Sequence, residues 1–349
     1  MLGIVNLLLA KSNDQRTSGE GLVRLNWRHT SRHQETTVLD PQARALLDLM
    51  IERGVPPTHT LEPVEARRMY RERRSFTQPP ALTMAEVRDL SAPGPAGPIG
   101  LRYYRPSTAP ASSGALVYYH GGGWVIGDLD THDVLCRELA HRSGCVVLAV
   151  DYRLGPEHPF PAAVDDCLAA TRWVHAQGQS LGIDASRIAL GGDSAGGNLA
   201  TVTALGLRDG EGFKPRFQLL IYPGTDMRAI APSHTSNGQG YMLTADTIAY
   251  FRGKYIADEQ KWSDWRASPL LHKDLSKLPP ALVLTAGYDP LRDEGRQYAD
   301  ALSKAGVPTQ YVCFERQIHG FITMGRVLEE SNTAVALCAL AIQRALAAG

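Results

Sequence analysis

A serine hydroxyl attacks a carbonyl only where a base, an orienting carboxylate and donors for the developing oxyanion surround it. Gly192-Asp193-Ser194-Ala195-Gly196-Gly197 offers such a serine in a Gly-x-Ser-x-Gly spacing. At the top of a tight strand-to-helix turn the serine backbone is strained and crowded, so only residues without bulk fit beside it. Gly192 and Gly196 meet that demand, which makes Ser194 the candidate nucleophile and acyl transfer the candidate chemistry. The required context is present: Arg187-Ile188-Ala189-Leu190 reads as a short buried strand, and the small-residue run Ala195 to Leu207 as a helix packed closely on a sheet. Small residues also occur wherever a helix crosses a strand closely, so the pentapeptide by itself leaves catalysis and plain packing both open.

The missing parts can be sought at strand ends. His120-Gly121-Gly122-Gly123-Trp124 follows the apolar run Ala115 to Tyr119, and consecutive glycines leave backbone N–H groups bare. The plain alternative is a flexible turn; the serine motif downstream favours oxyanion donors, with the amide of Ala195 as a further one. Among 11 histidines, His319 lies just past the last strand in Gln317-Ile318-His319-Gly320-Phe321, where a glycine eases its approach. His29, His33 and His59 precede the sheet, and His132, His141 and His175 fall in helical segments and read as surface residues. His120 reads as a brace of the glycine loop and His158 as part of a proline-rich turn. Asp289 follows the strand Ala281 to Ala286 through Gly287-Tyr288, and Pro290 then starts a helix. Asp293, inside that helix, and Glu315, closing the last strand, are less well placed carboxylates.

These positions depend on an alternation of elements. Apolar runs at Ala115 to Tyr119, Cys145 to Val150, Ile188 to Leu190, Phe217 to Tyr222, Ala281 to Ala286 and Gln310 to Phe314 read as strands. Helix-period segments lie between or after most of them, at Thr131 to Arg142, Ala162 to Ala176, Ala195 to Leu207, Leu291 to Ala305 and Asn332 to Ala348. Such alternation implies an α/β fold with a parallel sheet covered on both faces and sites at the carboxyl ends of its strands. Earlier strands begin near Ala85 to Leu90, and the Pro/Gly-rich Ala92 to Gly100 supplies the turn to Leu101 to Tyr104.

Before the sheet, Asp40 can cap and Pro41 can open a helix in which Ala43, Leu46, Leu47, Met50 and Ile51 recur until Gly54. A second helix near Pro63 to Arg74 carries Arg67, Arg68, Arg71, Arg73 and Arg74; the interleaved Glu62, Glu65 and Glu72 favour a solvated face over an anion-binding one. Between Tyr222 and Ala281 the chain is too long for a crossover and contains the aromatic-rich Tyr241 to Trp265, read as an insertion above the sheet. The expected organisation is an irregular extension over residues 1–36, a helical cap from 37–84 and 224–266, and a core from 85–223 and 267–349.

Composition excludes several partners. Lys+Arg and Asp+Glu number 36 each in 349 residues, so neither nucleic acid nor an anionic membrane is favoured. The five cysteines form no CxxC pair and are odd in number, which reads as free thiols in a reducing compartment rather than a metal or disulfide framework. Met1 to Ala10 is apolar but lacks a basic flank and a cleavage site and is too short to span a bilayer. A cytoplasmic protein with no stable membrane association is expected.

Five ordered motifs together resemble the bacterial hormone-sensitive-lipase-like (family IV) esterases from about residue 38 onward. They are His120 to Trp124, Asp151-Tyr-Arg-Leu-Gly-Pro-Glu-His-Pro-Phe-Pro161, Gly192 to Gly197, Asp289-Pro-Leu-Arg-Asp-Glu-Gly295 and His319-Gly-Phe321. The order Ser194, Asp289, His319 is also that of the α/β-hydrolases, distinct from the chymotrypsin and subtilisin orders. The resemblance implies an α/β-hydrolase fold with a mostly parallel sheet and a helical cap, and hydrolysis of short-acyl-chain carboxylic esters without cofactor or metal. It assigns the oxyanion to the N–H groups of Gly122, Gly123 and Ala195. It also places the chain in the subgroup with aspartate, here Asp193, before the nucleophile. Gly155 departs from the usual alanine, and residues 1–36 exceed the usual start. Asp151 to Pro161 reads as a rigid loop in which Arg153 pairs with Glu157. Trp124, Phe321 and the segment Tyr241 to Phe251 are candidate pocket walls, each equally explained as packing.

Three other readings compete. A ligand-binding relative without catalysis can lack the histidine, whereas His319 is present here. An amidase or peptidase could use the same three side chains, and an interfacial lipase would need an amphipathic lid that does not stand out. Relatives often pair through sheet edges or terminal helices, so a homodimer is a candidate assembly.

Overall fold

The computed structural model of the chain describes residues 38–210 and 213–347; the expected extension over residues 1–36 lies outside them. Among the described residues one eight-stranded sheet organises the chain. Its strands are β1 (Glu86–Gly94), β2 (Gly97–Arg105), β3 (Ser113–Tyr119), β4 (Val146–Asp151), β5 (Ile183–Asp193), β6 (Phe217–Ile221), β7 (Ala281–Tyr288) and β8 (Thr309–Ile318). They lie in the order β1-β2-β4-β3-β5-β6-β7-β8. The β1–β2 and β2–β4 pairs are antiparallel, and every pair from β4–β3 to β7–β8 is parallel.

The parallel strands are near-continuous apolar runs because both faces are covered. Successive side chains alternate across the sheet. Ala115, Val117 and Tyr119 of β3 join one core with Val146, Leu148 and Val150, while Leu116 and Tyr118 join the opposite core with Val147 and Ala149. Helices α4 (Ala162–Ala176), α5 (Ala195–Asp209) and α8 (Arg292–Lys304) supply the first core. The second is closed by α3 (Asp133–Ser143) and α9 (Glu329–Ala345), and by Ala43 and Leu47 of α1 (Pro41–Glu52). Asp40 caps α1 as expected, its Oδ1 accepting from the N–H groups of Gln42 and Ala43.

Two boundaries differ from the sequence reading. The Pro/Gly-rich stretch is mostly strand, since β1 and β2 pair up to Gly94 and Gly97 and only Pro95 and Ala96 turn. Pro93 and Pro98 sit opposite each other in this outermost hairpin, where a missing donor is tolerated. The strand before Ser194 is longer than Ile188 to Leu190, because Ile183 already pairs with Ser113 before a register shift.

The segment after β6 contains α6 (Ser233–Ser236) and α7 (Ala245–Tyr255). Helix α2 (Pro63–Thr77) packs Ala66 with Val125, Ile126 and Phe251, that is, between the glycine loop and α7. Arg67 ties the same helix down: Nε donates to the Val125 carbonyl (2.8 Å), Nη2 to the Gly155 carbonyl (2.9 Å), and both terminal nitrogens to the Glu157 carboxylate. The expected Arg153–Glu157 pair is therefore not formed. Arg153 instead holds the buried carboxylate of Asp166 with Nε and Nη2, both at 2.8 Å, because its backbone N–H is already fixed to the same group.

The tie through Glu157 has a pH signature. Its hydrogen bonds to Arg67 outweigh partial desolvation and hold the carboxyl at about 2, below its ordinary 4.5. A folded value below the unfolded one gives stabilisation that is complete above about pH 4.5 and is lost as pH falls through about 2. The carboxylate is half exposed, so screening limits the contribution to roughly 1 kcal/mol. Thermal melts of the parent and Glu157→Gln should therefore differ near neutrality and converge toward pH 2. A constant gap across that window would contradict the role given to the ion pair.

The turn between β5 and α5 interlocks with its neighbours. A Cβ on Gly196 would run into the carbonyl oxygens of Tyr119 and His120, both backbone atoms, and one on Gly192 would meet the backbone of Gly196 and Tyr119. Neither can move without shifting a central strand. Gly196→Ala is expected to lower the melting temperature by several degrees or to abolish folding. A variant that melts like the parent would show that the turn is looser than described.

Candidate active site

Ser194 stands at the junction of β5 and α5 with φ +54°, a left-handed value costly for a non-glycine residue. Its N–H donates to the Ile221 carbonyl at 2.8 Å, so neighbouring β6 helps hold the turn. The hydroxyl Oγ lies 2.9 Å from His319 Nε2, and His319 Nδ1 lies 2.6 Å from Asp289 Oδ2. Three side chains from the ends of three strands thus form one continuous line of hydrogen bonds. Asp289 is fully buried, and its second oxygen accepts from the Leu291 N–H at 2.8 Å, which fixes the carboxylate plane. Gly320, with φ +82°, turns the chain directly after His319.

Asn237, from the segment after β6, fixes the Asp289 loop by donating to the Gly287 and Asp289 carbonyls at 3.1 and 3.2 Å. Nothing in the sequence singles it out. The two alternative carboxylates lie elsewhere: Asp293 pairs with Arg292, and Glu315 is exposed on β8.

The glycine loop folds against the serine turn through Asp193. Its buried carboxylate accepts from the Gly121 N–H (2.9 Å) and the Tyr118 hydroxyl (2.7 Å), and His132 Nε2 lies 3.2 Å away. Burial would raise the Asp193 carboxyl, but His132 and Tyr118 prevail and hold it below its ordinary value. His132 is thus a correction to the sequence reading. It opens α3 yet is completely buried, because Asp193 and the Thr131 hydroxyl supply its hydrogen bonds. His120 does brace the loop: its Nδ1 is 2.8 Å from the Gly121 carbonyl and its ring stacks on Tyr152. Burial and the neighbouring His132 push His120 down to about 4, so it is neutral at physiological pH.

With the Gly121 amide engaged by Asp193, the next two amides, of Gly122 and Gly123, have no hydrogen-bond partner among the described residues. The same holds for Ala195 at the first position of α5. Gly122 and Gly123 have φ +126° and +59°, and a Cβ would meet the Ile126 carbonyl or the Phe251 ring. The loop conformation therefore requires glycine at both positions.

A cleft of about 670 Å³ opens onto Ser194 and His319 and is lined by Gly122, Gly123 and Ala195. Helices α1, α2 and α7 contribute Met50, Met69, Tyr70 and Phe251 to its mostly apolar walls. Trp124 also lines it, stacked flat on Tyr255 with ring centroids 5.0 Å apart. Phe321, the other candidate wall, is fully buried against Phe314 and Tyr222 and does not border the cleft. One wall is fastened by a buried pair unforeseen from the sequence. Glu294 Oε2 lies 2.6 Å from His234 Nε2, while Oε1 accepts from the backbone N–H groups of Thr225 and Asp226.

Residues 116–323 match the family model described as the alpha/beta hydrolase fold. The chain is 42% identical over 317 residues to an ethyl acetate hydrolase of Pseudomonas putida, covering 88% of this chain and 99% of that protein. The chain belongs to the hormone-sensitive-lipase-like carboxylesterases of the α/β-hydrolase superfamily. It is a carboxylic ester hydrolase. The esterase is also 42% identical over 292 residues to the carboxylic ester hydrolase LipN of Mycobacterium tuberculosis, covering 82% of this chain and 77% of the relative. Among solved structures, an ester hydrolase from the metagenome of Lake Arreo, complexed with a bipyridine phosphonate derivative, has a TM-score of 0.85 at 44% identity. It covers 88% of the esterase and 99% of that chain. The hyperthermophilic esterase of the archaeon Pyrobaculum calidifontis has a TM-score of 0.83 at 40% identity, with coverage of 89% and 100%. No helix among the described residues of the esterase is long and apolar enough to cross a membrane.

Proposed function

We propose that the esterase hydrolyses short-acyl-chain carboxylic esters by two-step acyl transfer through Ser194, His319 and Asp289. Ser194 Oγ attacks the ester carbonyl while His319 Nε2 accepts its proton, and Asp289 holds the imidazole in place through Nδ1. The carbonyl oxygen becomes an oxyanion, which the amides of Gly122, Gly123 and Ala195 stabilise. His319 returns the proton to the departing alcohol, leaving an acyl-serine. Water, deprotonated by the same histidine, then attacks the acyl group; the acid departs and Ser194 regains its proton.

The observation that carries this reading is the unbroken line from Ser194 Oγ to His319 at 2.9 Å and on to Asp289 at 2.6 Å, facing the unpartnered loop amides. Helices α1 and α2 and the segment holding α7 act as the cap that limits the acyl chain, and the relative named for ethyl acetate supports small esters. The test is a series of p-nitrophenyl esters of increasing acyl length. The expected result is a kcat/KM maximum at short chains and little turnover of emulsified long-chain triglyceride. Inactivity of the purified protein on all of these esters, or faster cleavage of the matched amides, would overturn the proposal.

A further inference from the structure

Four of the five arginines of α2 have firm partners. Arg67 holds Glu157, Arg68 holds Glu65 and Glu72, Arg71 holds Asp128, and Arg74 donates to the Asp130 carbonyl. Arg73 differs. It lines the cleft, its buried Nε has no hydrogen-bond partner, and its one side-chain hydrogen bond is Nη2 to the Pro56 carbonyl at 3.4 Å. No carboxylate pairs with it among the described residues. Desolvation accordingly pushes the guanidinium below its ordinary value, with only Tyr70 opposing the shift. A desolvated cation without a counter-charge is costly, and an anion arriving beside it recovers that cost.

The carboxylates on the cleft wall are engaged elsewhere: Asp226 with Arg228, Glu72 with Arg68, Glu294 with His234 and Asp193 with His132. Arg252, also on the wall, is occupied differently, donating to the Met227 carbonyl and lying over the Trp262 ring. Arg73 is therefore a cation on the cleft wall with a buried, unpartnered Nε and no carboxylate paired with it among the described residues. Tyr70, three residues before Arg73 on the same helix face, has its ring 6.3 Å from that of His132, which abuts the serine turn. Arg73 lies about 4.5 Å further along the helix axis. Arg73 and Ser194 line the same cleft, so Arg73 can face the far end of a substrate held at the serine.

We infer that Arg73 is an anion subsite and that the cleft accepts esters carrying a second, ionised carboxylate away from the scissile bond, such as hemiesters of dicarboxylic acids. This rests on the ester-hydrolase reading above and adds a substrate class to it.

The test compares monoethyl succinate, adipate and suberate with the corresponding diethyl esters. For the opposite orientation it compares acetates of ω-hydroxy acids with those of their ethyl esters. In at least one series the parent should show an optimum chain length at which the charged ester rivals or exceeds the neutral one in kcat/KM. Arg73→Gln should lower that charged-to-neutral ratio about 10- to 100-fold, as expected for a charge-assisted hydrogen bond. Arg73→Lys should retain most of it, and Arg296→Gln, on the exposed face of α8 and away from the cleft, should leave it unchanged. Free suberate or adipate should inhibit neutral-ester hydrolysis competitively in the parent and about tenfold more weakly in Arg73→Gln. An unchanged ratio in Arg73→Gln at every length in both series overturns the subsite while leaving the esterase intact. If that variant does not fold, a parent that prefers the neutral ester at every length and is not inhibited by the diacids overturns it equally. A parent inert toward neutral and charged esters alike overturns the ester-hydrolase reading, and the subsite with it.

Discussion

Ser194→Ala is expected to lower kcat on a short p-nitrophenyl ester by ~10⁴- to 10⁶-fold, the size of the loss when a serine hydrolase is deprived of its nucleophile. The remainder should be hydrolysis assisted only by substrate binding and by whatever the loop amides contribute. Removing Oγ takes away one acceptor or donor at 2.9 Å from His319 and leaves the surrounding packing intact, so the fold should survive. The melting temperature should stay within a few degrees of the parent, and relief of the left-handed Ser194 backbone is not to be expected, because alanine is as strained there as serine. Turnover near the parent rate by a correctly folded variant would remove Ser194 from the mechanism and the acyl-serine with it.

Asp289→Asn is expected to cost about 10⁴-fold in kcat, the size seen when a buried orienting carboxylate is neutralised without loss of shape. Both oxygens of Asp289 are acceptors: Oδ2 faces His319 Nδ1 and Oδ1 faces the Leu291 N–H. An asparagine amide can satisfy only one of them. With its NH₂ toward His319 it imposes the tautomer that leaves Nε2 protonated and unable to accept from Ser194. With its NH₂ toward Leu291 two donors oppose each other in a dry site, and the imidazolium loses its counter-charge in either case. Asp293→Asn should cost less than tenfold, since that carboxylate pairs with Arg292 at the side of α8. A similar loss in the two variants, or none in Asp289→Asn, would show that His319 is not oriented as described.

The fold was legible because buried parallel strands must be apolar throughout and their crossover helices must repeat at helical period. Ala162–Ala176 is a helix with the boundaries expected of it, and β3, β4, β6 and β7 lie where their runs of Val, Leu and Ala predict. The motifs around Ser194, Asp289 and His319 were legible for a related reason: a group at a strand end has little freedom, so its spacing and flanking glycines reflect a rigid turn. What could not be read were partnerships made across the fold. His132 has the sequence surroundings of a surface residue and is buried only because Asp193 approaches from another strand. Asn237 and the His234–Glu294 pair are likewise joined over long stretches of chain, with no periodicity to betray them. Charge alternation on α2 correctly suggested a solvated face for Arg68, but it could not distinguish Arg73, which lines the cleft with its Nε unpartnered.

Arg67 joins a helix that precedes the sheet to a loop after β3 and another after β4. For recombination between homologues this makes α2 a poor cassette. A chimera inheriting residues 63–77 from one parent and 120–157 from another keeps the helix seated only if the first brings the guanidinium and the second brings Glu157 and the same backbone path. Successful crossovers should accordingly fall before residue 63 or after residue 157, keeping α2 and both loops from one parent, while libraries that reshape the cleft have freer ground in the wall contributed by α7.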